Sequence, residues 1–348
     1  INTGSDVGGF IGSEAGAYTR TYSNNFWNTS VSGKTNGVAG GSASGVTGKT
    51  KAEMMTRNTF TGATWDFTTI WNMNSAGADI GVTYPYHQWK YASAPQVISG
   101  TAYSDQGVTV LTSGEKISIY KNGTTLLDNV YAGVSGFYYS LLNNASFADG
   151  NIVTSYLNNN TPLGNTVVLT AGTNISDLNI YGNTVIARKI SGATGSLNNA
   201  ALLTGLVSDA VDILYSVDGT PNLTTELGKD FYLWQGSTYN LDGAITSGGK
   251  ITMADTSVID AGAGLINLTA SGNITLSSLV TTNATTTGDG AIKLTSTSGA
   301  IAENGDAGVD ISAVNGLAVL NASTGIGTSD AIETTAAYLN ASTTSNNI

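Results

Sequence analysis

Two stretches of this chain are near copies of one another. Ile266-Asn267-Leu268-Thr269 lies over Ile292-Lys293-Leu294-Thr295, Ser271-Gly272-Asn273-Ile274 lies over Ser298-Gly299-Ala300-Ile301, and a weaker third copy follows. Each copy is an alternating β run too short to bury a core by itself, so its apolar face has to be covered by the next copy. Similar runs recur at 249–253, 265–268, 273–276, 291–294, 309–311 and 317–320, with Gly, Asn or Asp between them. Stacked in parallel, with inward Ile, Leu and Val forming ladders, they predict a β-solenoid. At about 20–25 residues per coil and about 4.8 Å between paired strands, residues 185–348 supply roughly seven coils. A sandwich of hairpins uses the same alternation, but Asn-Gly and Asp-Gly turns do not link these runs in a regular way.

Composition agrees with an all-β chain. Among 348 residues there are 44 Gly, 4 Pro and only 11% charged residues, against about 25% in an average soluble domain. Helix formers are scarce and β-branched and turn-forming residues abundant. With no cysteine, disulfides and thiolate metal sites are excluded and stability rests on packing and backbone hydrogen bonds. Thirteen basic residues against 24 acidic ones give a net charge of −11, which repels nucleic acid and anionic lipid alike. No apolar run reaches the roughly 18–20 residues of a membrane span, so membrane insertion is not expected. The chain opens at Ile1 rather than Met and stops in mid-pattern, as an internal piece of something longer would.

Three sections are read along the chain. Residues 185–348 are the parallel β-helix. Residues 92–184 carry short strands at 95–103, 108–110 and 116–120, a Lys121-Asn122-Gly123-Thr124 turn and the Phe137-Tyr138-Tyr139 cluster, and predict a small β-sandwich interrupting the helix. Residues 1–91 hold Trp27, Trp65, Trp71 and Trp89. There Thr50-Lys51-Ala52-Glu53 is a capping box that starts a short helix through about Arg57, and 65–67 and 71–73 read as strands.

The first section has a family likeness. Val7-Gly8-Gly9-Phe10-Ile11-Gly12, then Tyr22-Ser23-Asn24-Asn25-Phe26-Trp27-Asn28-Thr29 and Ser32-Gly33, resembles the GLUG-type glycine-rich repeat of bacterial surface proteins. Thr50 to Met55, Phe60, Trp65-Asp66-Phe67, Trp71 and Tyr84-Pro85-Tyr86 through Trp89 look like the segment that follows such repeats. Pro95 to Tyr103 is similar to the opening strand of an immunoglobulin-like module, and Asp212 to Ser216 with Leu233 to Gly236 look like the point where the solenoid resumes. The whole resembles a filamentous-haemagglutinin-type adhesin exported by two-partner secretion, although the secretion-signal domain of such a passenger is not in this sequence. The resemblance implies a right-handed parallel β-helix at or beyond the bacterial cell surface. It also implies a non-catalytic role in attachment or filament formation, with surface glycans or proteins, further copies, and an outer-membrane transporter for the parent chain as partners.

Chemistry-bearing patterns are sparse. His87 is the only histidine, so neither a histidine metal site nor a Ser-His-Asp triad can be assembled around more than that one ring, and it reads as a packing residue. No P-loop is present, because residue 43, where its first glycine belongs, is Ala43. Parallel β-helices also host polysaccharide-cleaving enzymes, which need paired carboxylates. Asp209 with Asp212, and Asp306 with Asp310, are the spacings that could supply them, but they sit among turn residues and read as turn caps. Asn304-Gly305-Asp306-Ala307-Gly308-Val309-Asp310 echoes calcium-binding glycine/aspartate loops in a single copy; no other cofactor is expected. No catalytic residue is assigned. The carbohydrate-active or carbohydrate-binding alternative would use Trp65, Trp71, Trp89 and Trp234 as stacking platforms, where buried structural tryptophan is the competing explanation.

Overall fold

The structure is a computed structural model and describes residues 7–12, 20–39, 43–75, 77–112, 114–207, 211–305, 308–327 and 330–345. It is nearly all β, with 40% strand and 6% helix, and forms a β-solenoid with parallel stacking. Among the described residues no helix is long and apolar enough to cross a membrane.

The copies noticed in the sequence are neighbours in space, residue for residue. Strand Ile266–Ala270 pairs in parallel with Ile292–Ser296, placing Ile266 on Ile292, Leu268 on Leu294 and Thr269 on Thr295, and Ile274 sits on Ile301. From Asp230 to Ala322 each coil contributes one strand to each of three sheets. One face carries the ladder Val185, Phe231, Ile251, Ile274, Ile301, Ile326. A second carries Tyr239, Ile259, Leu279, Ile311, and the third Leu223, Ile245, Leu268, Leu294, Leu320, Ala341. All but the terminal rungs Ile326 and Ala341 are at most 2% exposed, in one continuous core. The alternation of inward apolar and outward polar residues thus follows from the pleat, and stacking removes from water what no single coil could bury.

Coil length is elastic. The first ladder advances by 20, 23, 27 and 25 residues from Phe231 to Ile251, Ile274, Ile301 and Ile326, but by 46 from Val185 to Phe231. That long coil holds the helix Asn199–Gly205, N-capped by Asn198, and an antiparallel pair, Tyr215–Val217 with Leu223–Thr225. Among the described residues the first face is therefore six strands deep from Thr184–Lys189 to Gly325–Ile326, where about seven coils were expected.

Serine and threonine lie at the corners, where they bond to the coil below. Ser271 Oγ donates to Gly248 O, Ser296 Oγ to Gly272 O at 2.7 Å, and Thr344 Oγ1 to Ser323 O at 2.9 Å. These hydroxyls add coil-to-coil bonds to the turn backbone outside the strands, which accords with the Ser/Thr-rich, charge-poor composition.

Two compact units make up the fold, residues 1–117, 128–146 and 174–179 in one and 118–127, 147–173 and 180–348 in the other. The 92–184 stretch, read as one sandwich, is therefore shared between both. In the solenoid unit Asn165–Ala171 pairs in parallel with Thr184–Lys189 and antiparallel with Asp149–Leu157, so an antiparallel strand covers the edge that a parallel coil would leave open. At the Lys121–Thr124 turn Asn122 and Gly123 have φ of 50° and 66° and Thr124 N donates to Lys121 O, the geometry of a tight hairpin.

In the first unit Gln96–Tyr103 pairs antiparallel with Phe137–Leu142, and Asn25–Asn28 pairs in parallel with Val46–Lys49. The glycine-rich stretch wraps Trp27: a Cβ at Gly9 would lie 2.1 Å from its Cδ1 and one at Gly48 2.7 Å from its Cζ2, so only glycine lets the backbone close on the indole. The capping box is present in full, Thr50 Oγ1 accepting from Glu53 N and Glu53 Oε2 from Thr50 N, and opens the helix Lys51–Met54, followed by a second helix, Arg57–Thr61. Residues 65–67 are not a strand. Asp66 Oδ1 accepts from the N–H of both Thr68 and Thr69, and Trp71 N donates to Asp66 O, a side-chain-stabilised turn that outcompetes extension. Of the expected 71–73 strand, Trp71–Asn72 forms and pairs with Tyr86–His87.

Candidate functional site: an aromatic row

Three of the four tryptophans singled out in the sequence converge in the first unit. The antiparallel pair places Trp71 opposite His87, ring centroids 4.2 Å apart, while Trp65 lies 4.5 Å from Trp71 on the other side. His87 in turn stacks at 5.8 Å on Trp89. Inward the row continues from Trp65 to Phe60 at 4.9 Å and Phe26 at 5.9 Å. One end is thus anchored on fully buried Phe60, and the other finishes on Trp89, which is 79% exposed. His87 is the packing ring the sequence anticipated, between two indoles.

Hydrogen bonds hold the row in place. Trp65 Nε1 donates to Asn24 O at 2.9 Å. Gln88 Nε2 donates to Trp71 O at 2.6 Å and to Phe67 O at 3.3 Å, and Gln88 N to Ile70 O. These bonds hold Trp65 and the short strands that carry Trp71 and His87, on which Trp89 stacks. An indole this exposed retains its apolar face for a ligand that offers one, which is the property of a sugar ring or an aromatic side chain.

Trp234 does not join them. It belongs to the solenoid unit, half-buried between Tyr181 and Tyr232, each at 6.2 Å, with the Arg188 guanidinium 5.3 Å from its ring.

A concavity of about 290 Å³ also lies in the first unit, with Val31, Met54 and Phe137 as apolar wall and Asn28, Tyr84, Tyr131 and Tyr139 supplying polar groups. Both ends of the Asn28 amide are engaged: its Oδ1 caps the helix Thr29–Ser32 through Val31 N and its Nδ2 donates to Tyr84 Oη at 2.9 Å. Burial pushes the Tyr84 phenol up to about 12, partly offset by that Asn28 bond, and burial raises Tyr139 as well. Because the folded state holds the Tyr84 proton more tightly than the unfolded chain, its contribution is complete below pH 10 and is lost as pH rises toward 12. Two pKa units correspond to about 2–3 kcal/mol. Urea midpoints followed by tyrosine absorbance and circular dichroism are expected to fall across that window, and Tyr84→Phe to flatten the fall.

The carboxylates considered in the sequence are placed as follows. Asp209 and Asp306 lie outside the described residues. Asp212 Oδ2 accepts from Asn159 N at 2.9 Å, a turn-capping role. Asp310 is completely buried and gathers with Glu303 and Glu333, one carboxylate oxygen of each lying within 4.8 Å of the others. This trio escapes a reading of short-range spacing because Glu333 comes from the next coil.

No family model, curated protein or solved structure matches this chain.

Proposed function

We propose that this chain is a section of an extracellular, non-catalytic adhesin or structural rod of the bacterial cell surface, with the aromatic row as its contact point for surface glycans. The observation that carries the reading is the exposed Trp89 at the end of an ordered ring stack. The stacked coils support it, since a solenoid extends by adding coils and repeats weak contacts at intervals that add through effective concentration. Among the described residues the Glu303, Asp310 and Glu333 cluster has Asp310 wholly shielded, which does not favour the approach to a glycosidic bond that hydrolysis needs at that cluster.

A glycan array probed with the full chain tests this. Trp89→Ala is expected to weaken retained glycans about fivefold, the loss of about 1 kcal/mol of ring stacking, with Trp71→Ala weaker still because the stack beneath is lost. No reducing sugar should be released. Absence of any retained glycan, or Trp89→Ala binding as the parent does, would remove the proposed contact; sugar release abolished by Asp212→Asn would instead make the chain an enzyme.

A further inference from the structure

Glu303 occupies a position that the fold otherwise reserves for hydrocarbon. It pairs in register with Leu276, which is fully buried, and the corresponding place at the end of earlier strands of the same face is held by Met253 and Leu233, also fully buried. Glu303 is 5% exposed and Asp310 0%. Part of the cluster is satisfied by backbone: Gly305 N donates to Glu303 Oε2 at 2.9 Å and Glu333 N to Asp310 Oδ2 at 2.9 Å. The main chain locks the two coils together beside it, with Asp310 N and Ile311 N both donating to Glu333 O. Three oxygens are left over. Glu303 Oε1, Asp310 Oδ1 and Glu333 Oε2 are each buried with no hydrogen-bond partner.

Three carboxylates this close require positive charge, either protons or a metal ion. Among the described residues no basic side chain forms an ion pair with them. Lys293 is the only cation in the sequence after Lys250 and pairs with Asp289 at 2.9 Å. We propose that Glu303, Asp310 and Glu333 bind one divalent cation of the calcium class, clamping two successive coils at this corner.

The spacing suits that ion. Oxygens on one calcium lie 2.3–2.6 Å from it, so two of them can be at most about 4.6–5.2 Å apart, and the three ligand oxygens lie within 4.8 Å of one another. Magnesium, at 2.0–2.1 Å, spans about 4.2 Å and holds its own water more firmly. The charge facing each carboxylate comes from the other two, and burial together with Glu303 and Glu333 pushes Asp310 up to about 7. The inference is independent of the adhesive reading, since it concerns only the packing of three carboxylates.

Calorimetric titration of calcium chloride into the chelator-treated full chain, with melting curves alongside, decides the matter. The expected result is one site per chain with a raised melting temperature. Magnesium should bind more weakly. Asp310→Asn and Glu333→Gln should each weaken calcium by about tenfold or more, and Glu303→Leu, which continues the Leu276 position, should abolish the response while raising the melting temperature in chelator. Glu333→Gln alters the least buried member and keeps the test decisive if Asp310→Asn does not fold. Absence of binding heat and of a melting shift on adding calcium would overturn the proposal. Unchanged calcium affinity in the variants would overturn it by placing the ion elsewhere.

Discussion

Leu294→Asp is expected to abolish the cooperative unfolding of the solenoid around residues 266–322, detected as loss of β-type circular dichroism and rapid proteolysis in that stretch. Leu294 is 0% exposed and sits between Leu268 below and Leu320 above in a ladder that begins at Leu223. Truncation to alanine removes the buried hydrocarbon and leaves a cavity between two rungs, a loss of about 2–5 kcal/mol. Aspartate adds the cost of an unpaired buried carboxylate, which takes the change beyond the about 5–15 kcal/mol that holds a typical domain together. In a repeat fold each coil leans only on its neighbours, so damage should spread outward from Leu294 instead of acting uniformly. Asn267, exposed on the strand that pairs with that of Leu294, supplies the control: Asn267→Asp is expected to change stability by less than about 0.5 kcal/mol. Equal behaviour of the two variants would mean that the ladders do not carry the fold.

The same ladder explains why the stacking was legible without coordinates. Leu268 and Leu294 are equivalent because each covers the other, so selection for one buried rung writes a similar residue one coil later, and the self-alignment of the sequence becomes the register of the sheet. Features that depend on a single coil leave no such trace. Trp65-Asp66-Phe67 has strand-like bulk, but one Asp66 carboxylate oxygen accepting two backbone N–H groups decides its shape. The 46-residue coil between Val185 and Phe231 breaks the period that the shorter coils keep. Glu303, Asp310 and Glu333 meet only because Glu333 lies one coil beyond Asp310, at a distance along the chain that no short motif covers. Trp71 and Trp89 stood out by type, yet their meeting depends on Trp71 pairing with His87 across two strands of two residues each, shorter than any periodicity can announce.

Asn199→Leu is expected to destabilise the solenoid unit by about 2–6 kcal/mol, read as a shift in urea midpoint with unchanged slope. Asn199 opens the helix inside the longest coil and has no exposed surface. Its Nδ2 donates to Pro221 O at 2.7 Å and to Ala244 O at 2.9 Å, carbonyls that precede strands of two successive coils, and its Oδ1 accepts from Tyr239 Oη at 2.6 Å. Leucine of similar size fills the space but strips the partner from the Tyr239 hydroxyl and the Pro221 carbonyl, at about 1–3 kcal/mol for each buried group left without one. Ala244 O keeps a bond from Leu223 N and adds little. Tyr239→Phe alone leaves Asn199 Oδ1 without its donor and should cost about 1–2 kcal/mol. Combined with Asn199→Leu it should be less harmful than the sum, because the orphaned hydroxyl is gone. The size of that coupling separates two accounts of the insertion: a clearly sub-additive pair makes the amide the pin that lets a 46-residue excursion sit within a stack of coils of 20–27 residues, whereas strict additivity would leave apolar packing of Leu202 and Tyr215 to hold it.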